Sequence, residues 1–125
     1  MTSRRLMLVV AALVFLSLSG LRAADVTGKW TATFNTELGE QSYTYDFVVK
    51  GTVLTGTAKG NLTGESKISD GKVDGDKISF VENLDFQGMP LKITYTGQMT
   101  SADEIKMTRN VADIAMEQLV AKRAK

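Results

Sequence analysis

The sequence contains no cysteine, no histidine and only one proline among its 125 residues. Without cysteine no disulfide can form, so the fold must be held together by its core and by backbone pairing. Structural zinc sites use Cys and His, and hydrolytic triads usually use His as the base, so neither is expected. Asp70, Asp74 and Asp76 lack the closely spaced oxygen ligands of a calcium-binding loop. We therefore expect no metal ion and no cofactor.

The first 23 residues have the three parts of a secretory signal peptide. Arg4 and Arg5 give a basic start, residues 6–18 form an apolar stretch, and small residues surround Ala23, after which we expect cleavage. The apolar stretch is shorter than the ~20 residues of a membrane-spanning helix, which favours a signal peptide over the alternative, an uncleaved anchor. The sequence thus predicts export to the periplasm or the outside, with residues 24–125 as the mature domain.

The charge of the mature domain argues against nucleic acid as a partner. Without Arg4, Arg5 and Arg22, the 15 basic residues fall to 12 against 14 acidic residues, a net charge near −2. Nucleic-acid binding would call for a clustered basic surface. The remaining length of about 100 residues suits a single domain, and we expect no membrane span once the signal is removed.

From Lys29 onward, short alternating segments rich in Thr, Val, Ile, Tyr and Phe recur between glycines. Regular strands with turn signals about every 8–12 residues are typical of sandwiches and barrels. We predict an all-β fold, a single antiparallel up-and-down barrel of about eight strands. The fourth predicted strand runs from Ser66 toward Asp74, and the other seven cover residues 29–37, 42–50, 52–59, 77–86, 91–99, 104–110 and 116–123.

The C-terminal tail supports two interpretations. Residues 111–125 are rich in good helix formers, and Val111, Ala115 and Leu119 lie at helical spacing. A seven-stranded antiparallel sheet, however, would leave an open edge, which an eighth strand removes. We therefore favour a strand over residues 116–123, preceded by a one-turn helix at residues 111–115.

Two Asp-Gly pairs, Asp70-Gly71 and Asp74-Gly75, lie four residues apart. Asp-Gly supplies the positive φ values of a two-residue hairpin turn, and only one of the pairs can form that turn. Asp74-Gly75, flanked by Val73 and Ile78, is the better candidate. Asp70-Gly71 then fits a β-bulge.

The motif Gly28-Lys29-Trp30 at the start of the first strand, followed by an eight-stranded meander, resembles the calycin barrels, which include lipocalins, fatty-acid-binding proteins and avidins. In many calycins the tryptophan of this motif packs across the closed end of the barrel, beneath a basic residue from a late strand. The resemblance implies that Trp30 and Arg123 have these roles, with a structural closure favoured over a ligand floor. It does not extend to biotin, because avidin-type pockets use several tryptophans and this chain has one.

A second resemblance covers nearly the whole mature chain. It is to a group of small secreted bacterial β-domains that occur alone or beside sugar-acting enzymes, and this group has no established activity to carry over. The segments that carry the resemblance are Val53–Thr57, Asp70–Phe80, Tyr95–Gly97 and Ala121–Arg123.

Strict alternation along the strands places a few polar groups inside the barrel. Glu82 and Arg109 point inward, together with the hydroxyls of Tyr43, Tyr45 and Tyr95. A buried charge is costly unless it is paired, so Glu82 and Arg109 should lie near each other or near a ligand. One interpretation makes them the polar end of a small-molecule cavity above Trp30. The other has a bulge that turns Glu82 outward and leaves Arg109 at the rim.

These observations favour an exported, non-enzymatic binding or accessory domain of the cell envelope, whose barrel holds either a small apolar or amphipathic ligand or no ligand. Two alternatives stay open. One is a small barrel enzyme of isomerase or hydrolase type that uses Glu82, Arg109 and a tyrosine. The other is a module that recognises a protein or a glycan with its outer face. The sequence names no protein partner.

Overall fold

A computed structural model describes residues 25–124 as one closed β-barrel; the predicted signal peptide and its cleavage site lie outside the described residues. Each strand pairs antiparallel with the next, and the last pairs with the first, so the prediction of an eight-stranded up-and-down barrel is confirmed. Within residues 25–124 there is no helix that could cross a membrane. The strands are β1 (Gly28–Thr36), β2 (Gly39–Lys50), β3 (Val53–Gly60), β4 (Gly64–Asp74), β5 (Lys77–Phe86), β6 (Met89–Ser101), β7 (Glu104–Val111) and β8 (Ala115–Arg123).

Alternating side chains fill the barrel, because successive residues of a strand point to opposite faces of the sheet. On β1, Trp30, Ala32 and Phe34 are buried while the threonines between them are exposed. The same period places the tyrosines of β2 inside, where their rings stack on one another and Tyr45 meets the aromatic rings of β5 and β6 edge to face. The core is therefore a continuous column of aromatic and aliphatic side chains.

The C-terminal tail forms the predicted eighth strand, but the one-turn helix at residues 111–115 is wrong. Val111 still belongs to β7, and residues 112–114 form a turn in which Ala112 and Asp113 have φ values of 51° and 60°. An α-helix needs negative φ at these positions. The helix propensity of the tail is overridden because pairing with β7 and β1 closes the barrel.

One Asp-Gly pair lies at the hairpin turn and the other at a bulge, as predicted, but the hairpin loop is shifted by one residue. Asp74 pairs with Lys77, so the hairpin loop consists of Gly75 and Asp76 and not of Asp74 and Gly75. Gly75 supplies the positive φ, 62°. The bulge at Asp70-Gly71 is confirmed, since the register between β4 and β5 shifts there and Asp70 has a φ of 52°.

The barrel has two different ends. The turns after β1, β3, β5 and β7 lie at one end, which we call the open end, and the other three turns lie with the chain termini at the closed end. Trp30 is completely buried at the closed end, where its Nε1 donates to the Val26 carbonyl at 2.9 Å. The Arg123 guanidinium lies 4.4 Å from the centre of the Trp30 ring. Arg123 also donates hydrogen bonds to the carbonyls of Asp25, Thr27 and Ala102.

Candidate functional site

Glu82 and Arg109 both lie inside the barrel, with exposed fractions of 0% and 3%. The inward position of Glu82 follows from unbroken pairing, because β5 and β6 keep one register from Lys77 to Phe86. The interpretation in which a bulge turns Glu82 outward is therefore wrong. The bulge lies on β4, opposite the other edge of β5, and does not alter the alternation of β5.

The Glu82 carboxylate is surrounded by hydroxyl groups. Its Oε2 accepts hydrogen bonds from Tyr43 at 3.1 Å and from Ser66 at 2.9 Å, and its Oε1 accepts one from Tyr95 at 2.8 Å. Sequence reasoning missed Ser66. Its signal was present, because Ser66 and Ile68 occupy alternate positions on the same face of β4 and both are buried.

The Tyr95 hydroxyl connects Glu82 to the guanidinium. Since its single proton is donated to Glu82, its other two contacts are ones that it accepts. They come from Arg109 Nη1 at 2.9 Å and from the Tyr45 hydroxyl at 3.0 Å. Glu82 and Arg109 therefore interact through Tyr95, and the five predicted site residues form one connected cluster.

The three tyrosines of this cluster have pKa values raised above the ordinary value. Burial raises the pKa of Tyr43, Tyr45 and Tyr95, and the Glu82 carboxylate acts in the same direction on each of them. Burial alone would lower the pKa of Arg109, but the interaction with the oxygens of Tyr95 and Tyr43 outweighs it and raises this pKa. At neutral pH the hydroxyls are therefore protonated donors and Arg109 is a cation.

Arg109 is held by aromatic rings and by a second carboxylate. Its guanidinium carbon lies 5.1 Å, 4.9 Å and 5.5 Å from the ring centres of Phe34, Tyr43 and Tyr95, within the range of cation–π attraction. Its Nε lies 2.9 Å from Glu117 Oε1, at ion-pair distance but without hydrogen-bond geometry. Sequence reasoning missed Glu117 because its strand was uncertain, although the β7–β8 register places it directly opposite Arg109.

A cavity of about 190 Å³ lies at the open end, on the far side of Arg109 from Trp30. Of the five residues predicted to bind a ligand, Arg109 lines this cavity, whereas Glu82 and the three tyrosines do not. The cavity is therefore displaced toward the open end from the place expected above Trp30. Its polar lining includes Gln41, Thr63 and Glu117, and its apolar lining is formed by Leu38, Leu84, Phe86, Leu91, Ile93, Val111, Ile114 and Ala115.

Gln41 has a fixed amide orientation in the cavity wall, where only 3% of its surface is exposed. Thr36 donates its hydroxyl proton to the Gly39 carbonyl at 2.9 Å, so its oxygen can only accept from the Gln41 amide. Gln41 Nε2 therefore faces Thr36 at 2.9 Å, and Oε1 faces away. Among residues 25–124, no hydrogen-bond donor reaches this Oε1.

One exposed apolar side chain lies in or next to each of the four turns at the open end. These are Leu38, Leu62, Met89 and Ile114, with exposed fractions from 50% to 77%. Leu38 and Ile114 also line the cavity. Toward this end β1 and β8 are no longer paired, because their ladder is limited to Trp30 with Arg123 and Thr31 with Lys122. The mouth of the barrel is thus apolar at its tips and unpaired at one seam.

The part of the chain that the structure describes contains no group of three or more acidic residues placed to hold a metal ion. A comparison with protein-family models gives no match for this chain. A comparison with curated proteins gives no match either.

Proposed function

We propose that this protein is an exported, non-enzymatic binding domain of the cell envelope that holds a small amphipathic ligand at the open end of its barrel. The observation that carries the proposal is the cavity of about 190 Å³, with an apolar wall and a polar floor at Arg109, Gln41 and Glu117. An apolar cavity of roughly 150 Å³ is enough to hold benzene. The ligand is therefore small, of the size of one ring with a polar substituent.

The envelope address and the binding role rest on sequence features as well. Export is inferred from the signal-like residues 1–23. A ligand in the lumen is compatible with the fold, because eight-stranded barrels can hold one small ligand. The closed end is packed around Trp30, so the ligand has to enter from the opposite end.

The position of Glu82 supports binding over catalysis. An enzyme of isomerase or hydrolase type would need this carboxylate within hydrogen-bond reach of a substrate. Glu82 has no exposed surface, does not line the cavity, and has both oxygens occupied by hydroxyl donors. We therefore assign the Glu82 cluster to the support of Arg109, which does reach the cavity.

The distribution of exposed apolar groups also favours the open end over the outer face. Four of the large apolar side chains that are exposed in residues 25–124 stand at the turns around the mouth, two of them in the cavity wall. Away from the mouth, the outer face carries fewer such side chains, Val48, Val53 and Val120, and a groove across β1, β7 and β8 that shares no lining residue with the cavity.

Binding is tested with benzyl alcohol as a probe and with the mature protein, residues 24–125. In a titration followed by ¹H–¹⁵N NMR, we expect saturable shifts of the amides of Leu91, Ile93 and Val111. Ala115→Phe fills the cavity from its wall and should abolish these shifts while the spectrum stays that of a folded barrel. Shifts spread over the outer face, or unchanged in Ala115→Phe, would contradict the proposal.

Export is tested separately by expressing the full chain and recovering the envelope fraction. Mass spectrometry should find a product whose first residue is Ala24. A full-length product that stays with the membrane would instead support the uncleaved anchor.

A further inference from the structure

We infer that the ligand of the open-end cavity is a small amphipathic cation, a primary amine attached to an apolar group of about the size of a benzene ring. This inference rests on the proposed function, since it names the chemical class that the same cavity takes. Three separate observations point to a positive charge at the polar end of the ligand.

The first observation is the summed charge of Arg109 in the cavity floor and the two carboxyl groups that interact with it. Arg109 stands between two carboxyl groups, with Glu117 at 2.9 Å and Glu82 joined to it through Tyr95. The formal charge of these three side chains is −1. An excess charge in a buried cluster is costly unless a partner compensates it. A cationic ligand brings the sum to zero, whereas an anionic ligand has to compete with Glu117 for Arg109.

The second observation is the carbonyl oxygen of Gln41. This Oε1 is a buried acceptor in the cavity wall without a donor among residues 25–124, whereas Nε2 of the same amide donates to Thr36. A buried polar atom without a partner is destabilising. An ammonium group has three donors and no acceptor, so it suits an unpartnered acceptor such as this oxygen, in a cavity whose wall also contains Glu117.

The third observation is the charge at the mouth. Within two residues of the four open-end turns there are five exposed acidic side chains and one basic side chain, Lys59. The acidic side chains are Glu37, Glu40, Glu65, Asp85 and Asp113. A rim of one charge sign concentrates ligands of the opposite sign and raises their association rate. The mouth therefore favours cations before they reach the floor.

The test compares three probes of similar size that differ in the charge of the polar group: benzylamine, benzyl alcohol and benzoate. Affinities for the mature protein are measured at neutral pH by calorimetry and by NMR titration. We expect the amine to bind more tightly than the alcohol and the alcohol more tightly than the acid. The amine should exceed the acid by roughly tenfold or more, the effect of one hydrogen bond to a charged group.

Two variants test the cavity floor itself. Glu117→Gln removes one negative charge and should reduce or reverse the preference for the amine over the acid. Gln41→Glu adds a negative charge at an almost unchanged shape, with the Thr36 hydroxyl turning to donate to the new carboxylate, and should increase that preference by roughly tenfold. Gln41→Glu is expected to strengthen the binding of the amine, and a folding defect cannot produce that result. The inference can therefore be tested even if Glu117→Gln fails to fold. An amine-to-acid ratio that stays constant in the folded variants would overturn the inference.

The outcomes separate this inference from the proposed function. If benzyl alcohol or benzoate occupies the cavity as tightly as benzylamine does, the inference is wrong and the binding function stands. If none of the three probes shifts the cavity amides, both are wrong. A further readout is the association rate of benzylamine, which should fall when Glu37→Gln and Asp113→Asn are combined or when salt is raised.

Discussion

Tyr95 donates a hydrogen bond of 2.8 Å to Glu82, and neither side chain has any exposed surface. A carboxylate in a barrel core usually requires a direct ion pair, because an isolated buried charge is costly. Here three hydroxyls take the place of water around Glu82, and the nearest cation, Arg109, is reached through Tyr95. The lumen thus contains the charged carboxylate, the hydroxyl donors that replace water around it, and the cation that balances its charge.

Removing the acceptor at the centre of this cluster should be strongly destabilising. Glu82→Leu removes three hydrogen bonds to a charged acceptor, from Tyr43, Ser66 and Tyr95, each worth about 1.5–3 kcal/mol, and leaves Arg109 without one of its two carboxylates. We expect the free energy of unfolding in urea to fall by about 3 kcal/mol or more. Asn83→Leu, at the exposed neighbouring position, is the matched control and should change stability by about 0.5 kcal/mol. Similar small losses in both variants would show that the cluster is not stabilising.

The three tyrosines of the chain should ionise only when the barrel unfolds at alkaline pH. Their folded pKa values are raised by burial, whereas in the unfolded chain they titrate near about 10. Their contribution to stability is therefore fully present below about pH 10 and is lost as the pH rises toward the folded values, by roughly 1.4 kcal/mol per pH unit for each tyrosine.

The measurement is the absorbance of tyrosinate followed beside near-ultraviolet circular dichroism. In the native protein the two signals should change together. In concentrated guanidinium chloride the tyrosines should titrate at the ordinary value. Full ionisation at that value with native dichroism would refute the expected protection.

Trp30 should be an anchor of the closed end. It is the largest completely buried side chain, and its indole nitrogen is satisfied by the Val26 carbonyl. We expect Trp30→Ala to lower the free energy of unfolding by about 3–5 kcal/mol, the range for loss of a large core aromatic. Leu38→Ala, at the exposed tip of an open-end turn, serves as the control. A loss below about 1 kcal/mol for Trp30→Ala would show that the barrel does not depend on this residue.

Arg123 should contribute more to the stability of the barrel than its neighbour Lys122, although both carry one positive charge. The Arg123 guanidinium stacks on Trp30 and donates to three backbone carbonyls, which the single ammonium of a lysine cannot do. We expect Arg123→Lys to cost about 1–3 kcal/mol. Lys122→Ala breaks an exposed ion pair with Glu104 and should cost less than about 1 kcal/mol. Thermal and urea unfolding of the two variants under identical conditions decides between them.

The alternation of side chains was sufficient to predict most of the barrel and part of the site. It placed Glu82 and Arg109 inside and assigned Trp30 to the core, because a strand that is buried on one face has a period of two. It could not place the cavity, since strands six and seven and the tail meet at the open end only in the closed fold. Glu117 and Gln41 were missed for the same reason. Each is placed in the site by a contact with another strand, Glu117 with Arg109 on β7 and Gln41 with Thr36 on β1.

Periodicity, turn residues and composition by themselves determined the strand count, the inward faces and the absence of cysteine and histidine chemistry. These are local properties, decided by residues close to one another along the chain. The tertiary structure alone decided that Tyr95 links Glu82 to Arg109, that Glu117 lies opposite Arg109, and that the space left over lies at the open end. Register, closure and packing determine these relationships, and they depend on residues that are distant in sequence.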